Sequence, residues 1–126
     1  MHAIILAAGR GSRMGELCRE RPKGLTPLAG RPLIEWQIAA LRAAGVERVA
    51  VCTGYTASHL EGYGERRFHN PRWAETNMVR TLACASEWLS RESCIVSYAD
   101  IVYHPQAVEK LAQAPGAISL TYDLLW

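Results

Sequence analysis

Apolar residues along this chain come in short runs, each closed by a polar or glycine-bearing turn. Residues 2–7 read as a buried strand that ends at a loop carrying Gly9 and Gly11. A helix is predicted from Pro32, a residue suited to a first helical turn, to about Ala44, with Gly45 as its stop. Its apolar stripe is Ile34, Ile38 and Leu41. Glu47–Thr53 reads as a second buried strand, and Gly54-Tyr55 as a turn into a short helix over 56–62. A weak strand over 66–69 precedes a loop over 70–77. The spacing predicts one helix over Met78–Leu89, with Leu82, Ala85 and Leu89 inward and Asn77 as its N-cap. Ser93–Ala99 reads as a third buried strand, 105–113 as a helix and Ala117–Tyr122 as a last strand. Strands alternating with helices predict an α/β fold, a doubly wound, mostly parallel sheet with helices on both faces. Repeats and low-complexity stretches are absent from the sequence.

Charge changes the picture more than length does. The 126 residues make one domain with a sizeable core. The net charge is only +2, yet residues 1–31 hold six Arg or Lys against two acids. That excess sits on the glycine loop, which favours a small polyanion such as a triphosphate. Nucleic acid usually demands a wider basic face and is not expected as a partner. Arg10, Arg19 and Arg31 taken singly read equally well as solvated surface charges.

Cys18, Cys52, Cys84 and Cys94 show neither a Cys-x-x-Cys pair nor zinc spacing, and Cys52 and Cys94 read as small core residues. The four histidines lack ligand spacing. No signal-peptide pattern opens the chain and no run has membrane-spanning length, so a reducing cytoplasm is the expected compartment, without a membrane partner.

The stretch Ile4-Ile5-Leu6-Ala7-Ala8-Gly9-Arg10-Gly11-Ser12-Arg13-Met14, followed by Arg21-Pro22-Lys23, carries the candidate chemistry. Glycines after a strand let backbone N–H groups approach phosphate oxygens. Arg13 and Lys23 then bring positive charge to one ligand from two directions. Better-known glycine motifs do not fit. A Walker A loop ends in Gly-Lys-Ser/Thr, but Glu16 follows Gly15; a dinucleotide fingerprint needs a third glycine where Met14 stands.

Taken whole, Leu6-Ala-Ala-Gly-x-Gly-Ser-Arg-Met14, Arg21-Pro-Lys23 and Leu28-x-Gly30-x-Pro-Leu-Ile34 resemble the nucleotidyltransferase (sugar-nucleotide pyrophosphorylase-like) superfamily. Asn70-Pro-Arg-Trp-Ala-Glu-Thr-Asn77-Met-Val-Arg-Thr-Leu82 and Ile95-Val-Ser-Tyr-Ala-Asp-Ile101 resemble its branch of phosphocholine and 2-aminoethylphosphonate cytidylyltransferases. The resemblance implies a Rossmann-like nucleotidyltransferase fold and a Mg²⁺-dependent enzyme transferring a nucleotidyl group. The expected transfer is CMP from CTP to a small phosphate or phosphonate acceptor, releasing pyrophosphate. A sugar-1-phosphate nucleotidyltransferase and a non-catalytic nucleotide-binding regulatory module are the alternatives. Family members are longer, so residues 1–126 are expected to be the N-terminal part of a longer nucleotidyltransferase domain, and a homo-oligomer is compatible with it.

By this resemblance Arg13 neutralises departing pyrophosphate, and Lys23 lies near the α-phosphate and the incoming anion. Gly9, Gly11 and Ser12 meet the phosphates, while Leu6, Ala7 and Ala8 line the base. Asp100, at the end of an apolar strand, suits Mg²⁺, and the family's second metal carboxylate has no counterpart in this sequence. Thr76 and Asn77 are candidates for reading the base; Asn77 serves equally as a helix cap, and both roles are compatible. Trp73, Tyr98, Tyr103, Tyr122 and Trp126 invite an aromatic cage for a quaternary ammonium or read as core and lid residues.

Overall fold

The computed structural model describes residues 1–11, 20–122 and 124–125. Its centre is a four-stranded parallel sheet of β1 (His2–Ala7), β4 (Arg48–Thr53), β5 (Arg66–His69) and β6 (Cys94–Tyr98), in the order β5-β4-β1-β6. A two-stranded antiparallel ladder, β2 (Pro27–Leu28) with β3 (Arg31–Pro32), stands apart. Its connecting turn has Ala29 and Gly30 at φ +50° and +77°. Gly30 therefore earns its place by conformation. The helices are α1 (Leu33–Ala43), α2 (Met78–Ala83), α3 (Ser86–Leu89) and α4 (Pro105–Gln113).

Strand β1 shows why a continuous apolar run is needed at the centre. Successive side chains point to opposite faces, and both faces are covered. Ala3, Ile5 and Ala7 join Ile34 and Leu41 of α1 and Val108 of α4 in one buried cluster. Ile4 joins Ala50, Cys52, Phe68, Ala85 and Trp88 in the other. The doubly wound, mostly parallel arrangement expected from the sequence is thus the one found. Because β4 and β6 flank β1 on opposite sides, the chain reverses its direction of winding at β1, and a crevice opens beyond the carboxyl ends of β1 and β6.

Two predicted elements differ. The single helix over Met78–Leu89 is broken at Cys84-Ala85 into α2 and α3, with Ala85 leaving helical geometry at φ −95°, ψ 18°. The break turns Trp88 inward instead of Leu89. Its indole meets the His2 ring edge-on at 4.5 Å and Phe68 at 5.8 Å, filling more core than Leu89 would. Over 117–122 no strand forms, and Ile118, Leu120 and Tyr122 are 86, 86 and 82% exposed. An alternating pattern becomes a strand only when a neighbour takes up its backbone groups. None pairs with this segment among the described residues.

Candidate active site

The crevice is an open cleft of about 470 Å³. The end of β1 and the following loop supply one wall through Leu6, Ala7, Ala8, Gly9 and Gly11. Gly11 adopts φ +69°, while a side chain on Gly9 would meet nothing within 4 Å. Position 9 therefore faces open space. Ser12 and Arg13 lie outside the described residues.

Lys23 reaches the cleft from a 3-10 turn over Lys23–Leu25, behind the buried Pro22. Gly24 lies so close to the end of β6 that a Cβ there would come 3.1 Å from the Ala99 Cβ. This contact draws Lys23 to Asp100, whose Oδ2 is 3.0 Å from Nζ. The two side chains are 26 and 36% exposed. At the same place the β1–β6 ladder extends past its strands, with Ala99 N–H donating to Leu6 O at 3.1 Å. Residues 77 positions apart thus share one hydrogen bond at the mouth of the cleft.

The facing wall is the 70–77 loop with the start of α2. Asn70, 1% exposed, organises it. Its Nδ2 donates to Thr76 Oγ1 and Thr81 Oγ1, both at 3.0 Å, and its Oδ1 accepts from Arg72 N–H at 3.0 Å. Thr76 also donates to Arg72 O at 2.7 Å, so its hydroxyl is used within the loop. Asn77 Oδ1 accepts from Val79 N–H at 3.0 Å and Arg80 N–H at 3.4 Å, the N-cap expected of it. The side-chain amide nitrogen has no protein partner among the described residues. A helix cap and a cleft residue are here the same asparagine.

Sequence reasoning assigned no role to Asn70 or Gln37, read Gly54 only as a turn and named Trp73 only among aromatic-cage, core or lid residues. Trp73 lines the cleft, its ring 5.2 Å from Tyr55, over which the Arg10 guanidinium sits at 5.4 Å. Gly54 is more than a strand-to-helix turn. A Cβ on it would stand 2.5 Å from Trp73 Cβ, 2.8 Å from Ala8 O and 2.9 Å from Ala8 Cβ. The next N–H, of Tyr55, donates to Ala8 O at 3.0 Å. The only signal for Asn70 and Gln37 was a polar side chain beside apolar runs.

A lone carboxylate at a strand end is a hard oxygen donor, suited to a cation whose other ligands are phosphate oxygens and water. Among the described residues no group of three or more His, Cys, Asp or Glu could hold an ion unaided. None of their helices is long and apolar enough to cross a membrane.

Comparison with known proteins gives this geometry a family. Residues 3–121 match the model of the MobA-like NTP transferase domain. The chain is 37% identical to CTP:phosphoglutamine cytidylyltransferase of Campylobacter jejuni, an alignment covering 100% of the chain and 54% of that protein. It is 36% identical to 2-aminoethylphosphonate cytidylyltransferase of Lancefieldella rimae, over 80% of the chain and 43% of the relative. The solved CTP:phosphocholine cytidylyltransferase of Streptococcus pneumoniae superposes with a TM-score of 0.74 at 32% identity, covering 83% of this chain and 49% of that one. The chain therefore spans about half the length of these relatives. It is as a member of the MobA-like NTP transferase family, over nearly all of its length, that the chain is to be understood.

Proposed function

We propose that residues 1–126 form the nucleotide-binding part of a longer, Mg²⁺-dependent cytidylyltransferase. It would move CMP from CTP to a small phosphate or phosphonate acceptor such as phosphocholine or 2-aminoethylphosphonate, in the cytoplasm. The observation that carries this reading is the meeting of Lys23 and Asp100 at 3.0 Å beside the β1 loop, at the carboxyl end of the sheet. The cytidylyltransferase relatives at 36–37% identity support the choice of CTP.

In the proposed reaction an acceptor oxygen attacks the α-phosphorus in line, the bond to the β-phosphate's bridging oxygen breaks, and pyrophosphate leaves with that electron pair. There is little covalent work for the protein, which positions two anions and offsets their repulsion. Gly9 and Gly11 offer backbone N–H groups to the β- and γ-phosphates, joined by Ser12, and Arg13 neutralises the departing pyrophosphate. Lys23 holds the α-phosphate and the acceptor anion together. Leu6, Ala7 and Ala8 line the base. Thr76, with its hydroxyl already engaged, shapes the loop, whereas Asn77 keeps Nδ2 to donate to the cytosine carbonyl. Asp100 would hold Mg²⁺, which when bound neutralises phosphate charge.

Calorimetric titration with the four nucleoside triphosphates, with and without Mg²⁺, tests this. CTP is expected to bind most tightly, and far more tightly with the metal than without it. Asp100→Ala is expected to reduce the metal's enhancement by about tenfold or more, some 1.4 kcal/mol, at an unchanged melting temperature. Equal affinity for all four nucleotides would reject the cytidylyl assignment. An undiminished metal effect in the variant would make Asp100 structural.

A further inference from the structure

Helix α1 carries an amide where its apolar stripe should continue. Gln37 falls between Ile34 and Leu41 and is fully buried with them. A buried primary amide is stable only if its donors and acceptor are all met. Here they are. Nε2 donates to Tyr98 O at 2.8 Å and to Ile101 O at 2.5 Å, and Oε1 accepts from Ser97 Oγ at 3.2 Å. Both carbonyls belong to the short segment in which β6 ends, one before Asp100 and one after it.

We propose that Gln37 is the positioning residue for Asp100, an inference that rests on the reading of Asp100 as a metal ligand. The ladder to β1 runs through the Ala99 N–H, and the Tyr98 and Ile101 carbonyls are met by side chains instead, Tyr98 O also accepting from Ser97 Oγ at 3.2 Å. One nitrogen with two hydrogens satisfies both at once and ties each end of the bend to α1. On its other side the bend is confined by Gly24, whose α-carbon leaves no room beyond the Ala99 Cβ. The bend that carries Asp100 is thereby fixed through its backbone, while the carboxylate itself meets the Lys23 ammonium through Oδ2 at 3.0 Å. No apolar side chain of similar volume provides two donors, and glutamate in its charged form would set a carboxylate against two carbonyls.

The test compares metal binding with general destabilisation. Mn²⁺ affinity would be measured by electron paramagnetic resonance with saturating CTP, and CTP affinity by calorimetry without metal. Gln37→Met is expected to weaken Mn²⁺ binding about tenfold while changing metal-free CTP affinity by less than about twofold, since only the carboxylate's placement is lost. Leu41→Ala, a core truncation on the same helix, lowers the melting temperature but is expected to leave Mn²⁺ affinity unchanged. Ser97→Ala removes the hydroxyl that meets Oε1 and also Tyr98 O, both at 3.2 Å, leaves the two Nε2 bonds in place and, should Gln37→Met not fold, is expected to weaken Mn²⁺ about threefold. Parent-like Mn²⁺ affinity in Gln37→Met, or in Ser97→Ala when it is the variant measured, would overturn the proposal; so would an equal loss in Leu41→Ala. Asp100→Ala separates the premise: if it leaves Mn²⁺ affinity intact, the reading of Asp100 itself is wrong.

Discussion

In the proposed longer enzyme, Lys23→Ala is expected to lower turnover about a hundredfold, some 2.7 kcal/mol of transition-state stabilisation, and to weaken CTP binding far less. The proposed task of Lys23 is to hold two anions together while charge moves from one to the other, so its interaction grows toward the transition state. Its backbone is fixed by the buried Pro22 and the close Gly24–Ala99 approach, which leaves the ammonium as the moving part. Steady-state kinetics with CTP and an acceptor decide the matter. A variant with its turnover intact and only a raised KM for CTP would make Lys23 a ground-state binding residue, contrary to the mechanism.

Gly54→Ala is expected to be the most damaging single-methyl change near the cleft. The added carbon would meet two Cβ atoms and a carbonyl oxygen within 2.9 Å, none of them the flexible end of a side chain. Ala8 and Trp73 cannot both give way without displacing the loop after β1 or the facing wall. Overpacking of this kind costs roughly 1–3 kcal/mol, and the strain falls on the Ala8 carbonyl that Tyr55 N–H anchors. Urea unfolding is expected to show that loss, together with about tenfold weaker CTP binding. An unchanged midpoint and affinity would mean that the Ala8 contact is not rigid.

How much of this was legible beforehand follows from the range over which each signal acts. The β1 run and its glycines are local, and the fold class follows from alternation alone. Lys23 and Asp100 could be singled out by residue type and position, but nothing local says that they touch; only the crossover through α1, β4 and β5 returns β6 to the side of β1. The break at Cys84-Ala85 was invisible because Leu82, Ala85 and Leu89 keep helical spacing. The core's need for a large ring at Trp88 overrode it. Residues 117–122 carry a true strand pattern whose partner is absent from the described residues. Gln37 falls beside the stripe of Ile34, Ile38 and Leu41 and drew no reading, although an amide at a core position is itself a sign that backbone nearby lacks partners.

The Lys23–Asp100 pair has an implication for how the cleft is filled. At rest its cation and its carboxylate compensate each other. A partly exposed pair of this kind is held by about 1 kcal/mol or less and is readily given up. In the proposed reading, a metal–triphosphate complex would offer both sides a new partner at once, a phosphate oxygen for the ammonium and the cation for the carboxylate. Binding would then be an exchange of counter-ions rather than the filling of a charged hole, and a ligand that brought only half of the exchange would leave a charge stranded in the cleft.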